Sequence, residues 1–147
     1  MAIKFWDDIS EGEQLECRTL ALSLEEIVEF AKRYDPQSFH IDEQAAASSR
    51  FGGIIASSLQ TLSECTRVIV DALGDMPILS GLHIEQVRLP NPVRPDDVLA
   101  LEVSWAELQR SRSKPDRGMA TARFRAVNQK GEIVMESGFR YMIACRS

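Results

Sequence analysis

Asp35 and His40 are the pair of side chains in this sequence best placed to move protons. They lie five residues apart in Tyr34-Asp35-Pro36-Gln37-Ser38-Phe39-His40, and the chain has only two histidines. A loop that fixes a carboxylate beside an imidazole can hold a water molecule and shuttle its proton. About ten residues on, Phe51-Gly52-Gly53 leads into a second helical pattern, and a helix start offers free backbone N–H groups to developing negative charge. An acid–base pair beside such donors points to chemistry on a polarised carbonyl. Each piece also has a plainer reading. Asp35 can simply bond N–H groups in its own turn, His40 can be a partly buried ring held by a neighbour, and Gly52-Gly53 can be an ordinary loop.

Other chemistries find less support. His83 has no acid at a comparable spacing and reads as structural. Two histidines and the scattered Cys17, Cys65 and Cys145 do not supply a metal-ligand set, so no metal is expected. Ser57 and Ser58 invite comparison with hydrolases, but no Gly-x-Ser-x-Gly elbow surrounds them. Arg110, Arg112, Lys114 and Arg117 crowd one polar turn. They can meet phosphates by charge-assisted bonds, or form a solvated hairpin tip. Arg50, beside the glycine pair, is an equally good phosphate contact.

The elements that must position these groups follow from pattern. Ser23-Leu24-Glu25-Glu26 is a capping box, and Leu24, Ile27, Val28 and Ala31 mark one face of the helix it opens. Pro36 drives Asp35 out of helical geometry, so this helix should stop near Tyr34. A short helix is expected within 41–49 and a long one over 54–73. On the long one, Ile55, Leu59, Leu62, Thr66, Ile69 and Leu73 share a face, and Gly74 is placed to end it. Residues 14–22 read as a short strand. Four strand-like runs follow the helices, over 79–89, 98–108, 119–128 and 133–143, and Asn128-Gln129-Lys130-Gly131 is a hairpin signal between the last two. Pro90-Asn91-Pro92 and Arg94-Pro95-Asp96-Asp97 form a stiff connection between the first two. Helices first and consecutive strands afterwards indicate an α+β fold, with one antiparallel sheet curved around the long helix.

Composition sets the outer limits. The 147 residues suit one domain spanning 1–147. A hydrophobic share of 44% supplies a single core, and a net charge of −5 argues against a nucleic-acid surface or an anionic membrane. The acidic first residues contain no secretory pattern, no run reaches membrane-spanning length, and the sparse cysteines suit a reducing compartment. A cytoplasmic protein is expected.

Taken together, these motifs resemble the MaoC-like branch of the hotdog-fold family, the acyl dehydratases and (R)-specific enoyl-CoA hydratases. The family's Asp-x-Asn-Pro-x-His is matched by Asp35-Pro36-Gln37-Ser38-Phe39-His40. Its Phe-Gly-Gly-Pro-Ile-Ala-His-Gly-Met-like segment is matched by Phe51-Gly52-Gly53-Ile54-Ile55-Ala56-Ser57-Ser58-Leu59, and a later element by Pro92-Val93-Arg94-Pro95-Asp96-Asp97. The resemblance covers nearly the whole chain. Gln37, Ser38, Ser57 and Ser58 stand where the family usually has Asn, Pro, His and Gly.

The resemblance implies that Asp35 and His40 are catalytic, that the Ser58 N–H is an oxyanion donor, and that the Thr66 hydroxyl orients Asp35. Phe39, Arg50, Gly52, Gly53 and Ser57 are then expected at the substrate. The implied reaction adds water to an enoyl-CoA or removes it from a 3-hydroxyacyl-CoA. It needs no cofactor beyond the coenzyme A of the substrate. A homodimer or dimer of dimers is implied, its sheets joined edge to edge. Two rivals share the fold: an acyl-CoA thioesterase, and a non-catalytic acyl-CoA-binding subunit that has lost turnover through Ser57 and Ser58.

Overall fold

The capping box at Ser23 forms as its residue types require. Ser23 Oγ accepts from the Glu26 N–H at 3.1 Å, and a Glu26 carboxylate oxygen accepts from the Ser23 N–H at 3.0 Å. In the computed structural model, which describes residues 2–147, helix α1 then runs Leu24–Tyr34 and ends at Asp35, just before Pro36. The short helix expected within 41–49 is α3 (Glu43–Ala47), and a further helical turn that the pattern did not announce, α2 (Ser38–Ile41), precedes it. Asp42 makes the break. Its carboxylate caps α3 by accepting from Gln44 N–H at 3.0 Å and Ala45 N–H at 3.1 Å, which holds Asp42 itself in extended geometry.

The long helix α4 begins later than its periodicity suggests, running Ser58–Leu73 and stopping at Gly74, whose φ is 59°. Ile54 to Ser57 stay outside it because their backbone is claimed from two sides. Ile55 N–H donates to Phe39 C=O at 3.1 Å, and Ala56 N–H donates to Val93 C=O at 2.8 Å. The buried face is also rotated from the expected one. Thr61, Cys65, Val68 and Ile69 face the core, while Leu59 is 53% exposed.

Strands β1 (Gln14–Leu15) and β2 (Leu20–Ala21) divide the segment expected as one strand, and both pair with β4. The long strands are β3 (Ile78–Ile84), β4 (Val98–Arg110), β5 (Arg117–Val127) and β6 (Ile133–Ala144). All pairings are antiparallel, in the order β1-β4-β5-β6-β3 with β2 also on β4. Alternation puts Leu99, Leu101, Val103 and Trp105 of β4 and Ala120, Ala122, Phe124 and Ala126 of β5 inward, into one core shared with α4. A bulge at Glu107, where φ is 52°, interrupts the β4–β5 ladder, and Glu11 accepts from the Glu107 N–H at 2.7 Å. The resulting curved sheet wraps α4, the architecture expected of the sequence. Trp6 covers one edge, lying across Gly118 and donating to Met119 C=O at 2.9 Å. A Cβ at Gly118 would collide with its ring. No helix among the described residues is long and apolar enough to cross a membrane.

Candidate active site

Three chain segments meet at one corner: the end of α1 with α2, the extended stretch before α4, and the Pro92–Arg94 connection. Pro36 turns the chain so that Asp35 and His40 face each other across α2. Asp35 Oδ2 lies 3.3 Å from His40 Nε2. His40 is 4% exposed, and its Nδ1 lies 2.6 Å from Ile55 C=O. A carbonyl can only accept, so Nδ1 carries a proton and Nε2 is the nitrogen left to exchange one at the carboxylate. Phe39 packs its edge against the imidazole at 4.6 Å between centroids, and Phe51 packs on Phe39 at 5.3 Å.

The carboxylate is held at both oxygens. Gln37 Nε2 donates to Oδ1 at 2.7 Å, and Ser57 Oγ donates to Oδ2 at 2.7 Å. These two bonds, led by Gln37 and helped by the facing imidazole, hold the Asp35 carboxyl below its ordinary value. Partial burial pushes the other way and loses.

The pair opens onto a cavity of about 550 Å³. Phe39, Phe51, Ile55, Leu89, Pro92 and Val134 supply its apolar wall, and Arg50, Arg94, Asn91 and Ser58 supply polar groups. At its floor is the start of α4. Ser57 caps that helix, its Oγ accepting from Leu59 N–H at 3.3 Å and its carbonyl from Gln60 and Thr61 N–H at 3.1 Å each. Among the described residues the Ser58 N–H has no acceptor, and Ser58 lines the cavity. A free donor at a helix start, beside a carboxylate–imidazole pair, can meet negative charge on a carbonyl oxygen.

Asp35, His40, Phe39, Arg50 and Ser58 therefore gather where the sequence reading put them. Four residues do not. Thr66 does not reach the acid, because its hydroxyl donates to Leu62 C=O at 2.7 Å in its own helix. Ser57 is fully buried behind Asp35, so it holds the acid and does not touch the cavity. Gly52, with φ 69°, turns the loop, and Gly53 backs onto the Arg94 side chain; neither lines the cavity. His83 is exposed on β3, in register with Arg140 and away from the cavity.

The sequence reading assigned no role in the site to Gln37, the Ile55 carbonyl or Arg94. Gln37 was visible as a departure from the motif, and its extra methylene lets the amide reach back two residues. Arg94 Nη2 donates to Phe51 C=O at 2.7 Å and so ties the Pro92–Asp97 connection to the glycine loop. No local pattern announces a bond across that separation.

The family model described as "MaoC like domain" matches residues 9–126. The chain is 32% identical over 139 residues to the uncharacterized protein YdeM of Bacillus subtilis (strain 168), covering 93% of this chain and 96% of that one. Among solved structures, a MaoC-like dehydratase from Rhodospirillum rubrum superposes with a TM-score of 0.90 at 32% identity, over 98% of this chain and 99% of the other. An (R)-hydratase from A. caviae involved in PHA biosynthesis shares the fold, with a TM-score of 0.71 at 20% identity over 90% and 96% of the two chains.

Proposed function

The chain belongs to the MaoC-like domain family, and from that membership and the corner at Asp35 we propose that it is a hydro-lyase acting on an enoyl-CoA or 3-hydroxyacyl-CoA thioester. The observation that carries this reading is Asp35 Oδ2 and His40 Nε2 at 3.3 Å, at the edge of a cavity that also receives a free helix N–H.

In the hydration direction, a water lies beside the contacting pair, on its cavity side, bonded to both the carboxylate and Nε2. The pair takes one proton as the water oxygen bonds C3 of the unsaturated acyl group. The C2=C3 π electrons move toward the thioester, whose oxygen gains negative charge and accepts from the Ser58 N–H. A proton then passes from the pair to C2 on the same face, and the thioester remains intact. Positioned acid–base groups contribute ~10²–10⁴-fold, and one oxyanion donor on the order of 3 kcal/mol. Arg50 at the mouth of the cavity is the phosphate contact of coenzyme A in this reading.

β3 lies at one end of the sheet and exposes Leu79, Leu82 and Ile84. A second copy joining along that edge makes the homodimer that suits these side chains. The three cysteines are unpaired, and burial raises each of their thiols, which fits a reducing compartment such as the cytoplasm.

The test is a panel of enoyl-CoA substrates, crotonyl-CoA first and longer and branched chains after it. Wild type is expected to hydrate at least one, and Asp35→Asn and His40→Ala to stop it. Release of free thiol in place of hydration would assign a thioesterase. Tight acyl-CoA binding with no turnover of any substrate would assign a binding subunit.

A further inference from the structure

One buried hydroxyl touches both halves of the site. Ser57 is fully buried, and a serine hydroxyl has a single proton to donate. That proton goes to Asp35 Oδ2 at 2.7 Å, while the same oxygen accepts from Leu59 N–H at 3.3 Å. The Ser57 carbonyl takes the N–H groups of Gln60 and Thr61. One residue thereby occupies three of the four N–H groups of the first turn of α4. The remaining one, on Ser58, faces the cavity. From the other side Gln37 Nε2 fixes Asp35 Oδ1 at 2.7 Å.

Building on the hydro-lyase reading above, we propose that Ser57, seconded by Gln37, is a positioning residue that locks the Asp35 carboxylate and the free Ser58 N–H into one rigid unit. Without the Ser57 proton, Oδ2 can rotate away from His40 Nε2. Without the Leu59 bond, the first turn of α4 can fray and misplace its one free donor. Ser57 thus does here what a hydroxyl at Thr66 would have done, and adds the tie to the oxyanion donor. The charged groups that face Asp35 are few. His40 lies opposite it on α2, and Arg50 and Arg94 line the same cavity. The two hydrogen bonds, more than any charge, favour the ionised carboxyl.

The experiment follows the Asp35 carboxyl by carbon-13 NMR through an acid titration, alongside kcat and KM, in wild type, Ser57→Gly, Ser57→Thr and Gln37→Met. Glycine keeps most of the helix-capping preference while removing the donor, and threonine restores the hydroxyl. Ser57→Gly and Gln37→Met are expected to raise the Asp35 midpoint and lower kcat roughly tenfold, with KM changed less than about twofold. Ser57→Thr is expected to return both quantities toward wild type. A midpoint unmoved in both donor-less variants overturns the proposal. If Ser57→Gly does not fold, Ser57→Ala, which removes the same donor with the smallest change of volume, takes its place, and Gln37→Met tests the Oδ1 bond at an exposed position. Should wild type hydrate no enoyl-CoA while the midpoints move as expected, the lock stands and the hydro-lyase reading falls.

Discussion

The β4–β6 sheet and the Asp35 corner are built by different rules. In the sheet, stability is spread over many equivalent contacts. Leu99, Ala120, Ala122, Ala126, Met135 and Ile143 are all fully buried on alternating positions, and the ladder pairs residue after residue. In the corner, single atoms decide. Asp35 Oδ1 rests on Gln37 and Oδ2 on Ser57 beside the imidazole, His40 Nδ1 has one carbonyl, and among the described residues the Ser58 N–H is the free donor of the first turn of α4. A distributed structure loses stability in proportion to what is removed. A corner held by single bonds loses function at a stroke and stability hardly at all.

Substitutions can break that contrast from either side. The largest effect is expected in the corner: Asp35→Asn and His40→Ala should each lower the hydration rate by ~10²–10⁴-fold, and the thermal midpoint of Asp35→Asn should stay near that of wild type. A parallel collapse of the thermal midpoint would show that the corner carries the fold too. In the sheet the expectation reverses. Trp105, 2% exposed, fills the core from β4, and Trp105→Ala should cost about 3–5 kcal/mol in urea unfolding. A smaller loss, about 1–3 kcal/mol, is expected for Gly118→Ala, whose Cβ would displace the Trp6 ring. Both should leave the KM of folded protein near wild type.

The smallest effect sharpens the comparison by pH. The Asp35 carboxyl titrates below its ordinary value of 3.8 in the folded protein, chiefly because of Gln37 and Ser57. A depressed carboxyl contributes stability that is present above the unfolded value and is lost as pH falls through the folded one. The stability difference between wild type and Asp35→Asn should therefore be constant near neutrality and shrink below about pH 4. Equal differences across the acid range would mean that Asp35 is not held ionised.

The same contrast explains what could be read from the chain. Strand alternation and the Ser23 capping box are local signals, so α1 and β4, β5 and β6 were legible with ends accurate to a few residues, whereas the strand expected over 79–89 stops at Ile84. The Asp35–His40 spacing was legible because Pro36 fixes the bend between them. The start of α4 was not, because the bonds that hold Ile55 and Ala56 out of the helix come from Phe39 and Val93. The partner of Asp35 was misassigned for a related reason. Thr66 was tied to the acid by resemblance alone, and a helical threonine more often bonds back to its own helix, as it does here; that Ser57 points at the acid is visible only in the fold.

The most direct measurement is a crystal structure with a non-reactive enoyl-CoA analogue bound. The thioester oxygen should lie within hydrogen-bond distance of the Ser58 N–H, with C3 facing a water bonded to both Asp35 and His40 on the cavity side of the pair. A thioester bound outside this cavity, or an acyl chain whose C3 faces away from the pair, would contradict the account.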